Sequence, residues 1–175
     1  MNEILKAMKE RRSVRAFKSE LPPREQLDAV VEAGLYAASG HGGQSPIILA
    51  VTNPELMAKL RKDNCKIGGW GPDFDPFYGA SAALIVLADK SAPTHVYDGA
   101  LVMGNMMLAA HSLGLATCWI HRAKEEFETT DYKALLKSLG VEGDYEGIGH
   151  CAIGYAAKEP GAPAPRKANR VYKID

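Results

Sequence analysis

The residues with the clearest capacity for chemistry form a short basic cluster near the start of the chain, Arg11-Arg12-Ser13-Val14-Arg15. Guanidinium groups bind phosphate through paired hydrogen bonds, and a serine hydroxyl adds a further donor, so the cluster could hold a phosphate or a polyol. The same residues could instead form a solvated helix end, where cations interact favourably with the helix dipole. Composition alone favours neither interpretation.

A second pattern, Gly147-Ile148-Gly149-His150-Cys151-Ala152, matches the glycine motif of dinucleotide-binding folds. That motif works only between a strand and a helix whose N-terminal amides hold a pyrophosphate. Here residues 153–156 have strand character, and only 20 residues follow Tyr155, which is too few for a complete crossover. We therefore expect no Rossmann-type dinucleotide site.

Other catalytic motifs are missing or incomplete. The patterns GxxxxGK[ST], HExxH and GxSxG do not occur, so phosphate loops, zinc peptidases and hydrolase elbows are unsupported. Cys118 and His121 could ligate zinc, but a second pair at metal spacing is missing. His150 and Cys151 would point to opposite faces of a strand. We predict no metal site, and the three scattered cysteines are typical of free thiols in a reducing cytoplasm.

Hydrophobic periodicity predicts the elements that must position the basic cluster. Helices are expected over 2–12, from Pro23 to Ala38, and over 54–63, 96–113 and 131–139, with strands over 47–52, 83–88, 116–120 and 150–155. Strands that alternate with helices indicate helical layers around one sheet. Because no nucleotide-binding βαβ unit is found, an α+β fold is favoured over a doubly wound one.

Two features of these elements predict where other molecules bind. The Gly/Pro/aromatic stretch 68–79 is long for a plain connection, which is typical of a binding loop or of a segment packed in a dimer. The helix over 96–113 is apolar nearly all round and needs cover on every side, which predicts a homodimer. Asn105 and His111 interrupt its apolar run and make a membrane span improbable.

Equal numbers of basic and acidic residues, 21 of each, argue against a general binder of nucleic acid or acidic membranes. The balance is uneven along the chain. Residues 1–18 hold six basic and two acidic side chains, and residues 158–175 hold five and two. Two basic ends could converge on one small anion. The N-terminal sequence lacks the apolar core of a signal peptide, so a cytoplasmic location is expected.

Five segments, taken in order, resemble the FMN-dependent nitroreductase family in its short, single-domain form. They are Arg11 to Phe17, Ala37 to Gly40 leading to Gln44, Phe77 to Ala80, Leu113 to Ile120, and Gly154-Tyr155 followed by Ala164 to Lys167. Each segment alone is weak, whereas their order and spacing are specific. The resemblance implies one domain over residues 1–175 and a three-layer α/β/α fold with a mixed, largely antiparallel sheet. It also implies a homodimer with FMN at the subunit interface and NAD(P)H as the electron donor.

The resemblance carries over the family's contacts with the phosphate and ring edge of FMN. The first group belongs to the basic cluster: Arg11, Arg12, Ser13 and Arg15. Within it, Arg11 would lie toward the phosphate and Arg15 toward the N1/O2 edge of the ring. Arg166 and Lys167, in the tail 158–175, would close on the phosphate.

Further contacts are implied for the ring. Ser39, Gly40 and Gln44 would come from the other subunit. Ile120 would lie against the ring, and a backbone amide at His121 or Arg122 would approach flavin N5. In this scheme flavin carries the redox step, and no protein acid or base is obligatory.

The expected activity is reduction of nitroaromatics, quinones or similar electron-poor acceptors with ping-pong kinetics. A flavin reductase, a specialised reductase of an unsaturated or halogenated metabolite, and a non-catalytic FMN-binding or sensing module remain open as alternatives. The sequence departs from the common family pattern at Gly42, Ser45 and Pro46. That departure weakens the expectation of side-chain contacts from this loop but leaves its backbone near the cofactor.

Overall fold

The computed structural model describes residues 2–174. Its elements, in chain order, are α1 (Glu3–Glu10), α2 (Arg24–Leu35), a 3-10 turn (Gly40–Gly42), β1 (Pro46–Val51), α3 (Pro54–Ile67), β2 (Ala82–Asp89), α4 (His95–Ser112), β3 (Ala116–Ile120), α5 (Ala123–Phe127), α6 (Thr130–Ser138) and β4 (Tyr145–Gly154). Within the described part of the chain, no helix has the length and apolar character needed to cross a membrane.

The four strands form one sheet in the order β1-β2-β4-β3, and neighbouring strands pair antiparallel. A parallel contact enters through an isolated bridge between Ser13 and Thr117 on β3. The α+β fold is therefore confirmed, with the parallel character confined to this bridge. The strand order places β1 and β3 at opposite edges, so residues attached to these two strands lie far apart in one chain.

Helices cover both faces of the sheet. Along β2, Leu84 and Val86 pack in a cluster with residues of α2 and α4, whereas Ile85 and Leu87 pack on the other face with residues of α3, α5 and α6. All four side chains are fully buried. A strand covered on both faces reads as a continuous apolar run, and each such side chain contributes about 1.5–3 kcal/mol by leaving water.

Helix starts follow local signals in the sequence. The side chain of Asn2 accepts a hydrogen bond from the Leu5 amide at 2.9 Å, and Asn53 does the same for Leu56 at the start of α3. Each cap satisfies one of the amides that have no partner inside the first turn of a helix. Pro54 follows Asn53 at the first helical position, where its fixed φ suits the helix.

Four elements differ most from the expected ones, and one of them is α3, which ends at Ile67, four residues after the expected end. The helix α2 stops at Leu35, three residues early, and Leu35 is 57% exposed although its spacing predicts burial. The strand β4 begins at Tyr145, five residues before the expected start. The short helix α5 has no counterpart among the predicted elements, because five residues carry too little periodicity to be recognised.

The first half of β4 contains the glycines that imitate a dinucleotide motif. A Cβ on Gly147 would lie 2.2 Å from the Ala123 carbonyl oxygen, and one on Gly149 would lie 2.3 Å from Trp119 Nε1. These glycines therefore allow the chain after β3 to pack directly on β4. They serve close packing and do not form a pyrophosphate loop.

Replacement of Gly147 by alanine should destabilise the protein by about 1–3 kcal/mol, because the new methyl group meets a backbone oxygen that cannot move independently. Chemical denaturation measures this loss. The matched control is Gly71→Ala, since a Cβ at Gly71 meets nothing within 4 Å. Equal stability of the two variants would contradict the close packing of α5 on β4.

Candidate functional site

The basic cluster lies along the outer edge of β3. The Val14 amide donates to the Thr117 carbonyl at 2.9 Å, and the Phe17 amide donates to the Tyr78 carbonyl at 3.1 Å. Val14 and Phe17 are buried, whereas Arg15 is exposed. Two apolar anchors thus fix an extended segment whose polar side chains remain free to bind.

Arg11 and Arg12 line a cavity of about 230 Å³ with Thr117 and the start of the tail at Glu159. Arg11 Nη1 and Arg12 Nε are buried, and neither has a hydrogen-bond partner among residues 2–174. A buried donor without an acceptor costs free energy. These two nitrogens therefore indicate a site for an acceptor that another molecule supplies.

The Cys118 thiol, on β3, lies close to three residues of the basic cluster. Burial raises the pKa of this thiol, while Arg15, the Ser13 hydroxyl and Arg11 lie close enough to oppose the shift. Cys118 is accordingly a neutral thiol at pH 7 and a poor nucleophile. Arg11, Ser13 and Arg15 therefore lie near one residue of β3, while the contact of Arg11, Arg12, Ser13 and Arg15 with FMN remains a prediction.

The chain leaves the sheet at the end of β3. Ile120 is 6% exposed, His121 is exposed, and Arg122 has left-handed backbone with φ 80°. The amides of His121 and Arg122 donate to no acceptor within the described residues. The segment Ile120–Arg122 therefore has two free amides just beyond the strand that the basic cluster borders, while most of the Ile120 side chain is packed in the core.

The aromatic loop 68–79 packs beside this segment. The Arg122 guanidinium lies 4.2 Å from the centroid of the Trp70 ring, a cation–π contact. Asp75 accepts hydrogen bonds from the amides of Phe77 and Gly79 at 2.8 and 2.7 Å, which fixes the loop. The loop also borders a cavity of about 560 Å³ against α3, lined in part by Trp70 and Phe74.

A second group of predicted site residues lies in the loop before β1. Asp98, in the first turn of α4, accepts hydrogen bonds from the Gly40 amide at 3.0 Å and from the Ser45 hydroxyl at 2.8 Å. The Ser39 hydroxyl accepts from the Gln44 amide at 3.0 Å. The loop is therefore built around a buried carboxylate, and the amide of Gly40 is already used within the chain.

The Asp98 carboxylate should make the protein sensitive to acid. Burial opposes its ionisation, but hydrogen bonds from Gly40, Ser45 and Thr94 outweigh that effect and hold the pKa below its ordinary value of 3.8. A carboxyl whose pKa is lowered by folding adds stability above its unfolded pKa and loses it as the pH falls through its folded pKa.

We therefore expect Asp98→Asn to be less stable than wild type at pH 7, with the gap closing below about pH 4. Urea denaturation at pH 7 and pH 3 measures the gap. Asp28→Asn, at an exposed position on α2, is the control. A difference that is the same at both pH values would contradict the role of the ionised carboxylate.

One chain does not bring all the predicted site residues together. The loop with Ser39, Gly40 and Gln44 leads into β1, whereas the basic cluster lies on β3, three strand spacings or at least about 14 Å away. Arg166 and Lys167 are exposed, and among residues 2–174 Arg166 hydrogen-bonds only to the nearby Ala164 carbonyl. Contact of this loop and this tail with the basic cluster remains a prediction.

Comparison with known proteins identifies the group to which the chain belongs. A sequence model of the nitroreductase family matches residues 8–66 and 73–155, which include the basic cluster, all four strands and the chain after β3. This chain belongs to the nitroreductase family.

Two solved structures are similar to this chain over nearly its full length. A nitroreductase with bound FMN from Bacteroides fragilis is 30% identical, has a TM-score of 0.90, and covers 100% of both chains. One from Desulfitobacterium hafniense, also with bound FMN, is 28% identical with a TM-score of 0.87, over 99% of this chain and 100% of that one.

The similarity to a curated relative extends over a smaller part of both chains. The FMN reductase [NAD(P)H] of Bacillus subtilis is 29% identical over 136 residues, which is 67% of this chain and 53% of that protein. This chain therefore spans about half the length of that relative.

Sequence reasoning missed several residues that organise the site. Asp98 carried a visible indication, since it is a lone carboxylate in an apolar helix. Asn64 and Glu126 are both fully buried, and no sequence pattern indicated their role. Asn64 contacts the segment after β3 from a helix distant in sequence, and Glu126 lies on a helix too short to predict.

Proposed function

We propose that this nitroreductase is an FMN-dependent NAD(P)H oxidoreductase that reduces nitroaromatics, quinones or similar electron-poor acceptors. The observation that carries the proposal is the pair of buried, unpartnered nitrogens of Arg11 and Arg12 beside β3 in the described structure. Family membership and full-length likeness to two FMN-bound structures support flavin as the ligand.

The residues present fit the chemistry of FMN. Its phosphate offers negative charge and oxygen acceptors, which match the guanidinium and hydroxyl donors of Arg11, Arg12 and Ser13. Its ring offers nitrogen and oxygen acceptors to the free amides of His121 and Arg122, and an apolar face to Ile120. Two carboxylates, Glu10 and Glu159, also border the cavity, and the arginine donors must outweigh their repulsion of the phosphate.

FMN, when bound, supplies hydride acceptance from NAD(P)H and later electron release to an acceptor at the same place, which gives ping-pong kinetics. The role of the protein is to bind FMN and to orient its ring. Arg15 would place a cation near the N1/O2 edge, where it would stabilise negative charge, and an amide from His121 or Arg122 would hold the ring at N5. Arg166 and Lys167 would close on the phosphate from the tail.

We also propose that the complete site needs two copies of the chain. The loop before β1 and the basic cluster lie at opposite edges of the sheet, at least about 14 Å apart, which favours supply of the loop by a second copy of the chain. Large apolar side chains are exposed on α1 and α4 and at the end of α2: Ile4, Leu5, Met8, Leu35, Tyr36, Tyr97 and Leu101. Burial of this surface would stabilise a homodimer.

Stopped-flow mixing of the FMN-loaded protein with NADH or NADPH tests the activity. Loss of oxidised-flavin absorbance followed by its return with a nitroaromatic or quinone is the expected result. A protein that takes up no FMN, or whose FMN neither NADH nor NADPH reduces, would refute the proposal. A second candidate, reduction of free flavin, is favoured by the name of the Bacillus subtilis relative. Faster reoxidation by free FMN than by any other acceptor would select it.

Replacement of Arg15 by alanine should make FMN harder to reduce, because the cation beside the N1/O2 edge is lost. We expect a midpoint potential lower by about 30–60 mV, which corresponds to about ten- to hundredfold weaker binding of the reduced than of the oxidised cofactor. Spectroelectrochemical titration measures the shift. Lys18→Ala removes a nearby exposed cation as the control. Equal potentials in the two variants would reassign Arg15 to surface electrostatics.

A further inference from the structure

A buried polar network lies beside the segment that follows β3. His150 Nε2, on β4, lies 2.7 Å from Glu126 Oε2, on α5, and both side chains are fully buried. Asn64, on α3, is also fully buried and donates through Nδ2 to Glu126 Oε1 at 3.1 Å. The Phe77 ring packs edge-on against the His150 imidazole, with centroids 5.3 Å apart. The network therefore joins three elements inside one core layer.

The network reaches the segment Ile120–Arg122 through main-chain oxygens. Asn64 Nδ2 donates to the His121 carbonyl at 2.8 Å, and His150 Nδ1 lies 3.4 Å from the Ile120 carbonyl. The Arg122 carbonyl accepts from the Glu126 amide at 3.0 Å. The last of these is the first main-chain bond of α5 and does not depend on the Glu126 side chain, so the side chains of the network hold two successive carbonyls, those of Ile120 and His121. The amides of His121 and Arg122 remain without an acceptor in the described residues.

The stability of the fold does not by itself explain why this polar network is buried. Burial of charged or polar side chains carries a desolvation cost, and well-packed apolar replacements of buried polar pairs are often neutral or stabilising. The sheet does not need the network either, since the ladder between β3 and β4 already ends at the Ile120–His150 pair. What the network fixes is the irregular backbone beyond that pair, including the left-handed Arg122.

We propose that Glu126, His150 and Asn64 are positioning residues that aim the amides of His121 and Arg122 at the flavin. They would act through the Ile120 and His121 carbonyls and would not touch the cofactor. The inference rests on the proposed function, because bound FMN supplies the acceptor for these amides. A donor contributes to catalysis only when it is fixed at the reacting atom, so a loosened segment should slow hydride transfer while the phosphate contacts remain.

The variants separate this role from plain core stability. Asn64→Leu removes both hydrogen bonds at similar volume, and Asn64→Ser, too short to reach the His121 carbonyl, replaces it if the leucine variant does not fold. Glu126→Gln is the conservative variant, since its amide group can bond both neighbours. Tyr132→Phe is the matched control. It removes the Tyr132 hydroxyl, which donates to Asp63 at 3.0 Å. Asp63 precedes Asn64 on α3, but this hydroxyl makes no hydrogen bond to the segment Ile120–Arg122 within residues 2–174.

Two measurements decide the outcome. In the full-length, flavin-free protein, backbone order parameters from ¹⁵N relaxation at His121 and Arg122 should fall from about 0.85 to below about 0.6 in Asn64→Leu. With FMN bound, its reduction by NAD(P)H should slow about tenfold or more and its midpoint potential should shift, with FMN affinity within about threefold of wild type. Glu126→Gln should retain most of the wild-type values, and Tyr132→Phe should lower only the melting temperature.

Unchanged order parameters in the Asn64 variant would overturn the inference, whatever the flavin does. A loosened segment with an unchanged reduction rate and potential would also overturn it, because the segment would then not serve the cofactor. Wild-type protein that binds no FMN would refute the proposed function. The order parameters would still decide in that case whether the network holds the segment.

Discussion

Replacement of Arg11 by alanine should weaken FMN binding by about 10- to 100-fold. A hydrogen bond between charged groups contributes about 1.5–3 kcal/mol, and each 1.4 kcal/mol is a tenfold change in affinity. Arg11 Nη1 is buried and unpartnered within residues 2–174, so its bond to phosphate would replace no bond made inside the protein. Quenching of FMN fluorescence on titration with flavin-free protein measures the dissociation constant.

Two further variants make the Arg11 result specific. Arg11→Lys keeps the charge but loses the paired donors, so it should fall between wild type and alanine. Arg24→Ala removes an arginine whose side chain is 83% exposed in an ion pair with Asp28 on α2, and it should bind FMN normally. Equal affinity of the Arg11 and Arg24 alanine variants would remove the basic cluster from the cofactor site.

Two defective subunits should together restore one functional site. Arg11→Ala damages the basic cluster at β3, and Gly40→Val damages the loop at the opposite edge. A Cβ on Gly40 would lie 2.2 Å from Thr94 Oγ1, so valine must displace the loop. If each FMN site takes the cluster from one subunit and the loop from its partner, a heterodimer has one site with both defects and one with neither.

The heterodimer can be isolated by co-expression of the two variants with different affinity tags. We expect about one FMN per heterodimer, against about two for wild type and almost none for either variant alone. Circular dichroism melts of each variant control for folding. A heterodimer as empty as its parents would show that both defects act on a site within one subunit. A folded wild-type monomer in sedimentation would contradict the dimer directly.

Local chemistry explains which elements were predictable. The capping residues Asn2 and Asn53 and the apolar run of β2 mark helix starts and a buried strand without reference to the rest of the chain. The glycines at 147 and 149 misled the strand prediction, because their reason lies in Ala123 and Trp119, more than twenty residues away. Leu35 fitted a helical stripe, yet that helix turns its end away from this chain's core.

The sequence by itself determined the basic cluster, most of the helices and strands, and the resemblance that the family comparison confirmed. These depend on residue type and spacing, which are local properties. Only the tertiary structure decided that the cluster and the loop before β1 lie at opposite edges of the sheet, and that Asp98 organises that loop. It alone placed Asn64, Glu126 and His150 against the chain after β3. These contacts join residues that are 24 to 62 positions apart in the chain. Strand order and helix packing bring such residues together, and no local sequence pattern encodes either of them.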